Sequence, residues 1–433
     1  MKIKSISLNE ALLFLLVILP IYQDSPFSLI LGAAGYSVLM PMSLIGIVLC
    51  ILIYSRIPYN PRTQELIRLG GWLFIISYVA IVIWLLSGHS IVITSELLPI
   101  KALKVCLQYF SYVAYVLLLI RYTRKVGTNC IGKYSFVSLV VIAVIGIVEK
   151  TQIPYAFKGI HYAGVFPYWR IRLLTTEASW TAMMIYIYSA IAIFWCLFYK
   201  MKVRLVITLS CSAILLLNTS SKTLIMAIAI TLLVYVCITI KRLSKKKVII
   251  LLGCALGTVI LAQWILPQLI SSFDNDIKNY TSVATRAYTI AIGLLIGIVF
   301  PCGVGGAVYI GVLQEYLQRF LFIFSKFPIK FNLTEINSII HSSTDAAVTV
   351  KSGLIQYNTQ WGILGTLYFI VNLSRNLKSI LNENIRYKEI LAASFITACI
   401  LITTAQNFSF EFWLLYSFIV CLNEQTERKS AKC

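Results

Sequence analysis

The chain has 433 residues, of which 59% are hydrophobic and only 12% charged, and its formal net charge is +21. A soluble domain carries about twice that charged fraction and could not cover so apolar a surface with polar groups, so the composition excludes an ordinary soluble fold. The positive charge does not point to nucleic acid, because the basic residues fall in short clusters between apolar runs and not on one domain surface.

A hydrocarbon core needs about 20 apolar residues per tilted helix. Taken in chain order, the predicted spans are 8–23, 38–55, 71–87, 101–120, 134–149, 176–199, 203–219, 222–240, 247–266, 352–373, 388–405 and 408–422. The expected fold is therefore all-α, a single polytopic membrane domain over residues 1–433 with about twelve transmembrane helices. Residues 8–23 follow Lys2 and Lys4 without a small-residue cleavage site, so they read as a retained helix and not a signal peptide. The apolar segment 27–37 is a candidate extension of the first or second helix, with breaks at Pro20, Gly32, Gly35 or Pro41. The cysteines sit mostly inside apolar runs (Cys50, Cys196, Cys211, Cys254), with no CxxC pair, which fits small buried side chains better than a disulfide framework or a zinc site.

Sidedness follows from Lys and Arg. With the N-terminus in the cytoplasm, the inside segments hold most of the 37 basic residues, among them Arg62, Arg124, Lys202, the run Lys241-Arg242-Leu243-Ser244-Lys245-Lys246-Lys247, and Arg375. Both termini are then cytoplasmic. Two outer loops break the rule that such loops avoid positive charge. The first, 150–175, carries Lys150, Lys158, His161, Arg170 and Arg172 among six aromatic residues. The second, 267–351, lies between the ninth and tenth predicted helices and carries Lys278, Arg286, Arg319, Lys326, Lys330, His341 and Lys351. Its apolar stretch 286–300 reads as a helix lying on or dipping into the outer face, because a full crossing there would put the later basic loops on the wrong side.

Cationic, aromatic-rich outer loops suit a ligand that is anionic at one end and carbohydrate or lipid at the other. The arginine fork binds phosphate bidentately, and aromatic rings pack against sugars. The plainer alternative is that the arginines touch lipid headgroups while the aromatics form an interfacial belt. Asn218-Thr219-Ser220-Ser221-Lys222 marks a turn whose Lys222 either binds phosphate or caps a helix end. Pro301-Cys302-Gly303-Val304-Gly305-Gly306 reads as a turn, since no Gly-Lys-Ser/Thr follows to make a phosphate loop. No spacing of His and carboxylates suggests a metal, and no cofactor is implied.

Three pieces, in order, resemble one family: Arg170-Ile171-Arg172-Leu173-Leu174-Thr175-Thr176-Glu177-Ala178-Ser179-Trp180; Thr285-Arg286 followed by Pro301 to Gly306; and His341 followed by Gly353 to Gly365 with Trp361-Gly362-Ile363-Leu364-Gly365. The order resembles the O-antigen polymerases of the Wzy type and the related O-antigen ligases of the WaaL type. The likeness covers roughly residues 130–375; Ala178 stands where the family often has Pro, and either Arg170 or Arg172 fits the first arginine position, Arg172 lying nearer Glu177.

The resemblance implies a metal-independent glycosyltransferase of the bacterial inner membrane, acting at the periplasmic face on undecaprenyl-pyrophosphate-linked oligosaccharides. A polymerase would join repeat units; a ligase would transfer polymer to lipid A core. It further implies that Arg172 and Arg286 stabilise the departing pyrophosphate, that His341 or Glu177 takes the acceptor's proton, and that Arg170, Lys222, Arg319 and His161 bind substrate. A chain-length regulator protein is a further partner the family allows. A lipid-linked oligosaccharide flippase or other transporter is the competing class, and a purely structural or partner-binding membrane protein a third.

Overall fold

The structure is a computed structural model that describes residues 7–31, 35–54, 60–162, 166–219, 221–239, 281–325, 333–344, 348–383, 385–404 and 408–430. It is 78% helix and 2% strand, hence all-α. The helices are α1 (Leu8–Ile18), α2 (Leu39–Tyr54), α3 (Pro61–Leu86), α4 (Leu98–Val126), α5 (Thr128–Gln152), α6 (Ala178–Phe198), α7 (Lys202–Thr219), α8 (Lys222–Thr239), α9 (Thr281–Val299), α10 (Tyr309–Ser325), α11 (Thr334–Ile340), α12 (Gly353–Asn382), α13 (Lys388–Thr404) and α14 (Phe410–Ser430). The predicted span 247–266 lies outside the described residues, as do Lys278, Lys326 and Lys330.

Local sequence explains the boundaries. Asn60 caps α3 ahead of Pro61 at its first position. Ser352 caps α12 through the N–H of Ile355. Gly127, at φ 106°, separates α4 from α5. The segment 27–37 does not extend a helix. Ser25 binds the carbonyls of Tyr36 and Gly35, at 2.9 and 2.6 Å, and closes that stretch into a loop around one helical turn, Ser28–Leu31.

Among the described residues, six helices are long and apolar enough to cross a membrane: Pro61–Leu86, Leu98–Val126, Thr128–Gln152, Trp180–Phe198, Lys202–Thr219 and Lys222–Thr239. Leu8–Ile21, Leu39–Leu52 and Thr285–Val299 are shorter apolar helices. Three other predicted spans differ for readable reasons. Helix α12 carries Asn358, Gln360, Asn372 and Asn376 inside it, α13 has 17 residues, and α14 carries Glu411, Glu424 and Glu427. The chain is accordingly a membrane-embedded helical protein.

Among the described residues, α1 to α8 alternate in direction, as do α12 to α14, so the bundle has two ends. One carries the connections after α1, α3, α5, α7 and α13; it is called the loop end below. At the other end charged and amide groups knit the helices together. Arg62 of α3 donates to Asn376 and Ser379 of α12. Arg124 of α4 grips Glu424 of α14 through two nitrogens at 2.7 and 2.6 Å. Arg68, Arg121, Lys133, Lys202, Arg204, Arg375 and Lys388 also lie at this second end, as the Lys/Arg alternation predicts. Inside the bundle, buried tyrosines give their hydroxyl protons to carbonyls of neighbouring helices: Tyr109 to Leu66, Tyr115 to Leu16 and Tyr112 to Phe408, at 3.0, 2.8 and 3.1 Å. An apolar core has no water to serve those hydroxyls, so each bond fixes a helix pair.

Helices α9 and α10 form a hairpin that enters the bundle from the loop end and returns. Helix α9 descends beside the first part of α12: the Lys351 N–H meets the Thr289 hydroxyl at 3.4 Å, and the Asn358 amide donates to the Gly293 carbonyl at 3.0 Å. The tip is the Pro301–Gly306 turn. Its Val304 and Gly305 N–H groups bind the carbonyls of Thr359 and Gln360 at 3.0 and 2.9 Å, and the Gly306 N–H binds the Ser77 hydroxyl at 2.8 Å. Helix α12 is broken there, at Gly362, where φ is 75°. A Cβ at Gly362 would stand 2.1 Å from the Pro301 carbonyl oxygen, so both the dihedral and the contact require glycine. The tip thus occupies the backbone groups that the break releases. Ser77 stands about nine residues below the loop end of α3, and Gly362 about nine below that of α12; at 1.5 Å per residue both give a depth of about 14 Å, near half of a ~30 Å hydrocarbon core.

Candidate functional site

The loop joining α5 to α6 is organised around one carboxylate. Glu149, fully buried in the last turns of α5, accepts the backbone N–H groups of Arg172 and Leu173 at 3.0 and 2.8 Å and the Tyr168 hydroxyl at 3.0 Å. The Arg172 carbonyl in turn accepts the hydroxyls of Thr175 and Thr181, each at 2.8 Å. These bonds hold Leu173 at φ 53°, a left-handed conformation that costs a bulky residue on the order of 1–3 kcal/mol.

The Arg172 side chain is buried, at 3% exposure, while Arg170 is exposed, so the structure separates the two arginines that the sequence leaves equivalent. The Arg172 guanidinium carbon lies 3.8 Å from the Tyr168 ring centre and 4.5 Å from that of Phe166. Cation–π contact of this kind strengthens when desolvated and fixes the plane of the fork. Burial and the nearby Glu149 carboxylate push the Tyr168 phenol well above its usual range, so it stays a neutral donor.

A second buried pair adjoins the first group. His161 and Asp24, both side chains at 0% exposure, meet at 2.8 Å between Nδ1 and Oδ2. The imidazole packs edge-on to Phe166 and Tyr168, with ring centres 5.9 and 6.2 Å away, so His161 and Arg172 share the same two rings. The residues around Asp24 tie this loop to the bundle. The Gln23 N–H binds the Leu174 carbonyl at 2.8 Å, Tyr22 donates to the Ile160 carbonyl at 2.9 Å, and the Gln23 amide donates to the buried Glu411 at the start of α14. Tyr36, also in the first loop, has its phenol raised by burial and by the carboxylates of Glu177 and Asp24, which puts Glu177 on the border of the same cluster. Glu177 itself is exposed at the N-cap of α6; it does not cap the helix with its side chain.

The remaining predicted residues fall elsewhere on the loop end. Arg286, half-buried, stands on α9 beside Thr285, whose hydroxyl donates to Glu335 at 3.0 Å; Glu335 pairs with Lys351 at 3.6 Å. Ser352 follows and donates to the carbonyls of Ile402 and Thr403 at 3.1 and 2.6 Å, which ties the start of α12 to the end of α13. His341 is exposed and terminates the short helix α11. Arg319 is exposed on α10, with its guanidinium carbon 5.9 Å from the Tyr316 ring. Lys222 is the half-buried first residue of α8. Among the described residues, no three His, Cys, Asp or Glu side chains gather as a metal-binding group.

Sequence reading passed over Asp24, Gln23, Glu149 and Glu411. One signal marked them in advance: each is a polar or acidic residue at the edge of an apolar run, where an unpaired charge is costly and a partner has to be supplied.

What fold and site define is a membrane-embedded, all-helical protein with a buried, aromatic-clamped arginine at one end of its bundle. No protein-family model matches the chain, and no curated protein matches it.

Proposed function

We propose that the chain is a surface-polysaccharide (O-antigen) polymerase. In this reading it crosses the bacterial inner membrane about twelve times, with both termini cytoplasmic and the loop end in the periplasm. It joins undecaprenyl-pyrophosphate-linked repeat units by glycosyl transfer, without a metal. The observation that carries the reading is Arg172: a guanidinium held between two rings, its backbone locked by Glu149, at the end of the bundle where a lipid-linked pyrophosphate would sit. As the anomeric carbon is attacked, negative charge grows on the departing pyrophosphate, and a pre-oriented arginine stabilises that charge more than it stabilises the bound substrate. Arg286 serves the same anion from α9, with Lys222, Arg170 and Arg319 around the approach, and exposed His341 and Glu177 face the acceptor.

The test is a gel of surface polysaccharide from cells lacking the gene. Lipid A core carrying a single repeat unit supports the polymerase. Bare core with polymer accumulating on the lipid carrier means a ligase. A second reading, transport of a lipid-linked oligosaccharide, draws on the hairpin tip meeting the broken α12 at about mid-depth, since interrupted helices commonly form transporter sites. Against it, the backbone groups at that break bind one another. An unchanged ladder excludes the polymerase.

A further inference from the structure

We infer that Asp24 and His161 form the general base of the transfer, taking the proton of an acceptor sugar hydroxyl; this rests on the polymerase reading above. The two residues are 137 apart in sequence, yet both side chains are buried and meet at 2.8 Å. An ionised carboxylate only accepts, so Nδ1 carries the proton and the lone pair stays on Nε2. That nitrogen is buried and has no hydrogen-bond partner among the described residues. A buried acceptor left unpaired is costly, and such an atom calls for a ligand, a water or a catalytic role. Here the orphan nitrogen belongs to the residue type best suited to move protons near neutral pH, oriented from behind by a carboxylate.

The position fits the chemistry. His161 contacts Phe166 and Tyr168 on one side, and the same rings hold the Arg172 guanidinium. The proton acceptor and the anion-stabilising fork therefore pack against the same two rings. In the step, the acceptor oxygen bonds to the anomeric carbon while its proton passes to Nε2. The bond from that carbon to the pyrophosphate oxygen breaks, and its electron pair leaves on the lipid pyrophosphate, beside Arg172. Asp24 stabilises the imidazolium until the proton is released to water. The exposed His341 ends the short helix α11, where its backbone N–H closes the turn on the Asn337 carbonyl at 3.1 Å.

Two substitutions separate a base from a structural strut. His161→Asn keeps an amide donor where Nδ1 stood, and so keeps the bond to Asp24, but removes Nε2. Asp24→Asn keeps an acceptor for Nδ1 and removes the charge. Each variant is expressed in the deletion strain, membrane levels are matched by immunoblot, and turnover is measured with purified protein, lipid-linked repeat units and normalisation to the monodisperse fraction. Chain growth is expected to fall by about 100-fold or more in His161→Asn, the ordinary worth of a positioned acid–base group, and by at least 10-fold in Asp24→Asn. His89→Asn removes an exposed imidazole stacked on Trp84 and leaves growth unchanged. Wild-type turnover in either dyad variant overturns the proposal. If the deletion strain still makes a full ladder, the polymerase reading falls instead; if deletion leaves single-unit caps while His161→Asn grows full chains, only the dyad falls.

Discussion

Glu149→Gln tests whether one carboxylate organises the arginine loop. The wild-type group accepts three hydrogen bonds from the loop, two of them from adjacent backbone N–H groups. The amide keeps a single acceptor oxygen. It turns an NH₂ towards the Leu173 N–H, so one buried donor loses its partner, at about 1–3 kcal/mol, and the bonds that survive lose their charge assistance. Relief of the buried charge returns part of this cost. The net expectation is a loss of about 2–4 kcal/mol confined to the loop, since Glu149 has no role in the polar layer at the opposite end. Amide hydrogen exchange reads that quantity directly: protection of residues 166–175 in detergent-purified protein falls by about 30- to 1000-fold, while α12 and α14 keep theirs. Unaltered protection of 166–175 would refute the argument that Glu149 holds Arg172 in place.

Four further outcomes follow from the geometry. Arg172→Lys keeps the charge but loses the planar contact with Tyr168 and Phe166, so it lowers chain growth more than Arg170→Lys does; equal effects in the ladder assay would contradict the separation of the two arginines. Arg286→Ala abolishes polymerisation while membrane insertion stays intact, and normal chain lengths in that strain would remove its pyrophosphate role. Gly362→Ala forces a Cβ against the Pro301 carbonyl at 2.1 Å and loosens the hairpin from α12; the expected result is a thermal midpoint several degrees lower, and an unchanged midpoint would show that the tip does not pin the break. Reporter fusions within 310–325 report the same compartment as fusions in 150–175, and a cytoplasmic signal there would overturn the sidedness.

The helices were legible because their cause is one-dimensional. A run of apolar residues has to leave water whatever surrounds it, so α1 through α8 appear close to the predicted spans. The loop 27–37 was not, because its apolar composition fits a helix end equally well, and only the bonds from Ser25 to Gly35 and Tyr36 decide for a closed loop. For 286–300, the charge argument gave a dip without its depth. The depth depends on which residues receive the tip, and Ser77 and Gly362 are remote in sequence. Predicted span 247–266 lies outside the described residues.

The candidate site divides along the same line. Positive charge in a loop that ought to avoid it is visible in composition, and it led to Arg170, Arg172, His161 and Arg286 without a structure. The partners that make one of those residues special are acidic or amide groups, each single and distant: Glu149 ends a span, Gln23 and Asp24 follow the first one, and Glu411 opens the last. Their one local signal, a place at the edge of an apolar run, is shared by ordinary interfacial residues. Physical chemistry does so only when they are counted together, because each would be costly to bury alone. Gln23 meets Glu411 with its side chain and the arginine loop with its backbone, while its neighbour Asp24 meets His161. A dipeptide between the first two apolar helices therefore fastens the fifth helix's loop to the last helix. The position of Arg172 is in this sense a property of the whole bundle, and no window of sequence around it could have supplied it.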